Sequence, residues 1–185
     1  MNRRFKLALL IAIIGVVPHL VSAQYFEEAP QKASFKDRIF VGGGFGLSFG
    51  TITYVSLSPI VGYKITQRWA AGVGISYQYR NDKRFVPALT TNDYGGSLFT
   101  RYLLIKNIFA EARYEVLNFE YLQSPSETAR KNYDSFLLGG GFSQPLGKKA
   151  SFVVSIMYNL LYDDLETPRP YNSPLVVNVG VSAGL

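Results

Sequence analysis

The sequence predicts an all-β fold, a transmembrane eight-stranded antiparallel up-and-down β-barrel, and three observations predict it. Beyond the first two dozen residues, apolar side chains alternate with polar or tiny ones at period two, and helical periodicity is missing. Eight such segments occur, joined by connections that are mostly tight at one end and long and polar at the other. The apolar face is bulky, whereas the opposite face is mostly Gly and Ser with a few charges. A water-soluble barrel turns its apolar face inward and a polar face outward; here the bulky residues suit lipid and the small ones suit a narrow lumen.

The chain opens with Arg3, Arg4 and Lys6, then the apolar run Leu7 to Val17, a break at Pro18, and the small residues Val21 to Ala23 before Gln24. This pattern predicts a cleaved secretory signal peptide over 1–23. The apolar run falls short of the roughly 20 residues that a spanning helix needs, and no cysteine follows it to carry a lipid anchor. Residues 24–37, QYFEEAPQKASFKD, are polar and mixed in charge, and are expected to form a periplasmic leader, flexible or serving to dock a partner. The barrel is expected to occupy 38–185.

Removing 1–23 takes away three of the 19 Lys+Arg and none of the 13 Asp+Glu, so the mature chain carries 16 against 13, a net of +3. A nucleic-acid partner loses its support. The 162 remaining residues suit one domain. With no cysteine in the chain, an exported fold is held together without disulfides. The one histidine, His19, lies in the signal peptide.

The first segment places Val41, Phe45, Leu47 and Phe49 opposite Gly42, Gly44, Gly46 and Ser48. The second sets Val55, Leu57, Pro59, Val61 and Tyr63 against Tyr54, Ser56, Ser58, Gly62 and Lys64. In the third, Ala71, Val73, Ile75, Tyr77 and Tyr79 face away from Gly72, Gly74, Ser76, Gln78 and Arg80. The fourth and fifth put Leu98 and Tyr102, then Ala110, Ala112, Tyr114 and Val116, outward. The sixth presents Phe136, Leu138 and Phe142. The seventh presents Phe152, Val154, Ile156, Tyr158, Leu160 and Tyr162, and the eighth Leu175, Val177, Val179, Val181 and Ala183.

Tight connections are expected at 65–68, 104–107 and 145–150, and long polar loops at 81–93, 122–132 and 164–172; the first hairpin, near Gly50 and Thr51, is short. Tyr63, Trp69 and Tyr102 gather near the tight turns, and Tyr77, Tyr79, Tyr158 and Tyr162 near the long loops. That placement matches aromatic girdles at two membrane interfaces. A closed barrel pairs its last strand with its first, which accounts for a chain ending on the alternating strand SPLVVNVGVSAGL.

The segments SPIVGYKITQRWAAGVGISYQY (58–79), FTRYLL (99–104) with FAEARYE (109–115), and GGGFSQPLGKKASF (139–152) resemble the small outer-membrane β-barrels of Gram-negative bacteria. The likeness is to the eight-stranded type of OmpX and the OmpA membrane domain, and especially to the small barrel family abundant in Bacteroidetes. It extends over the whole mature chain as a pattern. It implies an outer-membrane location, assembly by the barrel assembly machinery, and contact with outer-membrane lipid and lipopolysaccharide. In that family a closing strand commonly ending in Phe signals assembly; here the last residue is Leu185.

Outer-membrane barrels that are enzymes, such as lipid A acylases and deacylases, phospholipases and omptin-type proteases, use a histidine base. A mature chain with no histidine and no cysteine lacks those mechanisms. The sequence therefore predicts no catalytic site, no cofactor and no metal centre. Asp163, Asp164 and Glu166 lack the spacing and glycine of a calcium loop and are read as a solvated acidic loop. Arg101, Glu111, Arg113 and Glu115 fall on the lumen face. A turn centred on Lys106 sets Arg101 opposite Glu111, and the four are expected to form a bonded structural network, since unpaired charge in a narrow lumen is costly. Lys83, Arg84, Arg130 and Lys131, with Arg169, lie in the outer loops as candidate contacts to lipopolysaccharide phosphates. The expected function is a structural or surface-interaction protein of the outer membrane with a side-chain-filled lumen. The alternative is an accessory subunit of a larger secretion, assembly or uptake complex.

Overall fold

The computed structural model describes residues 34–84, 86, 88–124, 127–146, 149–171 and 173–184. The expected signal peptide and most of the leader lie outside them. One helical turn, α1 (Phe35–Arg38), is fastened where the Ser34 N–H donates to Asp37 Oδ2 at 3.0 Å. Eight strands follow: β1 (Ile39–Ser48), β2 (Ile52–Lys64), β3 (Trp69–Asp82), β4 (Leu89–Ile105), β5 (Ile108–Ser124), β6 (Glu127–Pro145), β7 (Ala150–Asn159) and β8 (Leu175–Gly184). Each pairs antiparallel with the next, and β8 pairs with β1, so the sheet closes into an eight-stranded up-and-down barrel. Closure pairs the two edge strands along the seam, where Phe40 to Gly44 lie opposite Gly184 to Gly180.

Two stretches expected to be loops are strand. The loop expected over 81–93 contracts to 83–88, and the one expected over 122–132 contracts to the pair 125–126. The strands continue past their apolar section on polar cross-strand pairs: Asn81 Nδ2 donates to Thr90 Oγ1 at 2.8 Å, and Asn118 Nδ2 donates to Asn132 Oδ1 at 2.7 Å. Such pairs stabilise a ribbon as apolar pairs do. The third loop expectation, 164–172, falls within a long connection, 160–174. At the opposite end the connections are 65–68, Lys106–Asn107 and 146–149. Asn107 takes a left-handed φ of 73°, which asparagine tolerates in a two-residue turn.

The partition between faces is inside out. Phe45, Leu57, Val73, Ile75, Leu98, Ile156 and Val177 are each at least half exposed on the outer surface. Aromatic pairs bound this belt on β3 and β4. Trp69 stands opposite Tyr102 near the short turns, and its Nε1 donates to Thr100 Oγ1 at 2.6 Å. Tyr77 stands opposite Tyr94 at the other end, with ring centroids 5.5 Å apart and the Tyr77 hydroxyl donating to Asn92 Oδ1 at 2.9 Å. From Trp69 to Tyr77 the chain covers about 26 Å along the strand. At the tilt usual for such barrels this is roughly 20 Å of height, close to the apolar band of a membrane barrel.

Candidate functional site: the lumen and the outer rim

Parity along β4 and β5 sends Arg101, Glu111 and Arg113 into the lumen. The two-residue turn at Lys106–Asn107 sets the register, so Arg101 lies directly opposite Glu111. Arg101 Nε and Nη2 donate to Glu111 Oε2 at 2.9 and 2.7 Å; Arg113 Nε and Nη2 donate to Oε1 at 3.1 and 2.6 Å. Glu111 is 1% exposed. One carboxylate thus holds two guanidinium groups, an arrangement that satisfies its buried oxygens with charge-assisted bonds. Glu115 departs from the expected four-membered network. Its Oε1 accepts from the Tyr171 hydroxyl at 3.0 Å, so its partner comes from the connection 160–174.

Three aromatic rings pack among and below the charges. Phe40, Phe99 and Phe109 are buried in the lumen, each directly opposite a glycine of the neighbouring strand: Gly62, Gly72 and Gly141. A Cβ on Gly72 would sit 2.7 Å from Phe99 Cζ, and one on Gly141 would sit 2.6 Å from Phe109 Cζ; one on Gly62 would enter the Phe40 ring. The glycines are the seats of the rings. Arg101 lies 4.1 Å from the Phe109 centroid and 5.8 Å from that of Phe99, so its cation rests on aromatic faces. Sequence reasoning missed this layer because it grouped the lumen face as small and polar. The available signal was the strand register itself, which pairs each Phe with a Gly.

The lumen is filled unevenly. β4, β5 and β6 supply most of the bulky residues, whereas β1, β2, β3 and β8 supply mainly glycine and serine, with Phe40, Tyr54 and Gln78 among the larger exceptions. On that side a cavity of about 440 Å³ lies above the charges, lined by Tyr54, Ser56, Gln78, Glu115, Tyr171 and Asn178 among others. Ser76 Oγ and Asn178 Nδ2, both on its wall, have no hydrogen-bond partner among the described residues. Ser76 sits where the β2–β3 ladder is interrupted beside Pro59, between the pairs Leu57–Tyr77 and Ile60–Gly74. A second cavity, of about 540 Å³, opens among the short turns. Arg101 borders both.

At the outer end, Leu117, Phe119 and Tyr133 form a small core, and Tyr171 packs edge-on to Tyr133 at 6.1 Å. The connection 160–174 is thereby drawn into the barrel mouth. Asn159 anchors its start: Oδ1 accepts from the N–H groups of Phe136 and Leu161, and Nδ2 donates to Ser135 Oγ. Tyr158 faces outward, whereas Tyr162 lies in the connection against Arg169, 5.3 Å from its ring.

The four basic residues considered for lipopolysaccharide do not form one patch. Lys83 and Arg84 lie on the turn after β3. The Arg84 side chain is bonded to Asp82, at 2.8 Å to Oδ1 and 2.6 Å to Oδ2. With Arg80 also bonded there, Arg84 holds the Asp82 carboxyl well below the usual carboxylate range, outweighing the upward push of its desolvation. Arg130 donates to Asn118 Oδ1 at 2.6 Å and to the Asn92 carbonyl at 2.8 Å, tying β4, β5 and β6 together. Lys131 lies on the opposite face of β6 and pairs with Glu166 at 2.9 Å. Asp163 and Asp164 offer their carbonyls to Arg169, and Asp163 Oδ1 accepts from the Leu165 N–H.

No family model matches this chain, and no curated protein matches it. Among solved structures it is similar to the N-terminal β-barrel domain of OprF from Pseudomonas aeruginosa, at 12% identity. That alignment covers 80% of this chain and 97% of the other, with a TM-score of 0.47. So distant a likeness brings no activity, ligand or partner to this chain.

Proposed function

We propose that this chain is a non-catalytic β-barrel of a bacterial outer membrane, of the small OmpX-like type, with a lumen closed by its own side chains and a surface role at its outer end. One observation carries the reading. The strands present a bulky apolar belt outward between two aromatic rows, while Arg101, Glu111 and Arg113 are enclosed. In water this arrangement would expose a large apolar surface and bury charge, both unfavourable; in lipid the apolar belt is solvated, and enclosing the charges keeps them out of the hydrocarbon. The lumen reading rests on the salt-bridged arginines against Phe99 and Phe109, with Phe40 buried edge-on to Phe99.

The surface role rests on the outer end. Beyond Tyr94 and Asn118, β5 and β6 continue as a two-stranded ribbon for about 20 Å of chain. Glu120 and Asp93 close the gap left as β4 departs: the Asn92 N–H donates to Glu120 Oε2 and the Glu120 N–H to Asp93 Oδ1. The test is fractionation of cells expressing the full chain, followed by gel electrophoresis with and without heating. Retention in outer membranes after a urea wash, with faster migration of the unheated form, is expected. Release into the wash with one migration rate would refute a membrane barrel.

A further inference from the structure

The two ends of the barrel treat their charges differently. At the outer end most cations are matched by acids, Lys83 being an exception among the described ion pairs: Arg80 and Arg84 with Asp82, Arg130 with Glu120, Lys131 with Glu166. At the short-turn end the described residues include Lys36, Arg38, Lys64, Arg68, Lys106 and Lys149, against a single acid, Asp37. Asp37 accepts from the Ser34 backbone. No carboxylate among the described residues forms an ion pair with Lys64, Arg68 or Lys149.

Three of these cations converge. Lys64 comes from the end of β2, Arg68 from the turn 65–68 and Lys149 from the turn before β7, and all three line the 540 Å³ cavity. Arg101, already held by Glu111, and the acid Asp37, whose Oδ2 accepts from the Ser34 N–H, also lie on its wall, and Thr66, Ser143, Ser151 and Ser182 add hydroxyls. The volume lies within the range of small-molecule sites. Like charges gathered around a cavity raise its potential and draw counter-ions of the opposite sign.

We propose that this vestibule is an anion site for a phosphate-bearing ligand. Two lysines, one at each of two turns, act as point charges, and Arg68 adds a guanidinium fork beside Lys64. That suits the tetrahedral oxygens of a phosphate group better than the flat edge of one carboxylate, which is matched by a single guanidinium fork. The hydroxyls supply neutral donors between the cations. The phosphate comes either from a soluble phosphate ester or from the headgroup of a phospholipid at the barrel rim. The site does not depend on the surface role proposed above.

The test uses the full-length barrel in nonionic detergent micelles, titrated with inorganic pyrophosphate by calorimetry. Saturable binding that weakens with added salt is expected. The triple variant K64Q/R68Q/K149Q, checked for its unheated gel migration, is expected to bind roughly tenfold more weakly or worse, and K36Q/K106Q, outside the cavity, to bind as the parent does. A second arm places the barrel in phosphatidylcholine nanodiscs with or without phosphatidylglycerol. Competition by phosphatidylglycerol assigns the site to a headgroup, and its absence assigns it to a soluble ester. The proposal is overturned if neither probe binds saturably, or if the triple variant binds pyrophosphate as well as the parent.

Discussion

Glu111 and Arg101 stand directly opposite one another on β5 and β4, and the same carboxylate also holds Arg113, two residues along its own strand. The arrangement makes the carboxylate the critical member. Glu111→Gln leaves two enclosed guanidinium groups without their counter-charge, which in buried pairs costs about 3–5 kcal/mol. The temperature at which the barrel loses its fast-migrating form should fall sharply for Glu111→Gln. It should fall less for Arg101→Ala, in which Arg113 still holds Glu111. Unchanged thermal resistance in both would remove this network as a source of stability.

The seating of Phe40 on Gly62 gives a second prediction. The atoms nearest to the Cβ of Gly62→Ala would all belong to the Phe40 ring. Overpacking of this kind costs about 1–3 kcal/mol. Phe40→Leu in the same chain should recover part of the loss, because the two changes share one contact and are not additive. Denaturant midpoints of the single and double variants measure this directly; strict additivity would contradict the packing described.

Tyr171 ties the connection 160–174 to Glu115. Tyr171→Phe keeps the ring against Tyr133 and removes the hydroxyl bond, so a loss of about 0.5–1.5 kcal/mol is expected. Tyr171→Ala should also release the connection. Limited proteolysis should then cut within 160–174 faster than in the parent, whereas equal cleavage would show that the loop is held elsewhere.

The outer rim should be sensitive to acid. Because Arg84 and Arg80 depress the folded Asp82 pKa, its contribution is full above the unfolded value near pH 4 and is lost as pH falls toward the lower folded value. Protease susceptibility of the turn 83–88 should therefore rise below about pH 4 and stay flat between there and neutrality. In Asp82→Asn the turn should be susceptible at both pH values, with the acid step gone. A parent with no step below pH 4 would count against the ion pairs.

Much of this architecture was legible because lipid and lumen impose opposite demands on alternate residues. The faces of all eight strands follow from parity, and the short turn at Lys106–Asn107 places Arg101 and Glu111 in register. Parity stopped helping where both faces became polar. Thus Asn118 and Asn132 read as loop, although they bond across the β5–β6 ribbon. The partner of Glu115 was not legible, since Tyr171 arrives from a connection 56 residues further along. Phe99 and Phe109 were hidden for a different reason: apolar residues on a charged face contradict the pattern until the glycines beneath them are seen.

The chain contains no cysteine, so single cysteines can be introduced one at a time without background. The decisive measurement is labelling of Val73→Cys, Ile75→Cys, Leu98→Cys, Ser76→Cys and Ser97→Cys barrels with a fluorophore, followed by quenching with lipids brominated in the acyl chain. Strong quenching at positions 73, 75 and 98, with little at 76 and 97, is the predicted result. Absence of lipid quenching at 73, 75 and 98 in folded, membrane-reconstituted protein would contradict a barrel that turns its apolar face to the bilayer.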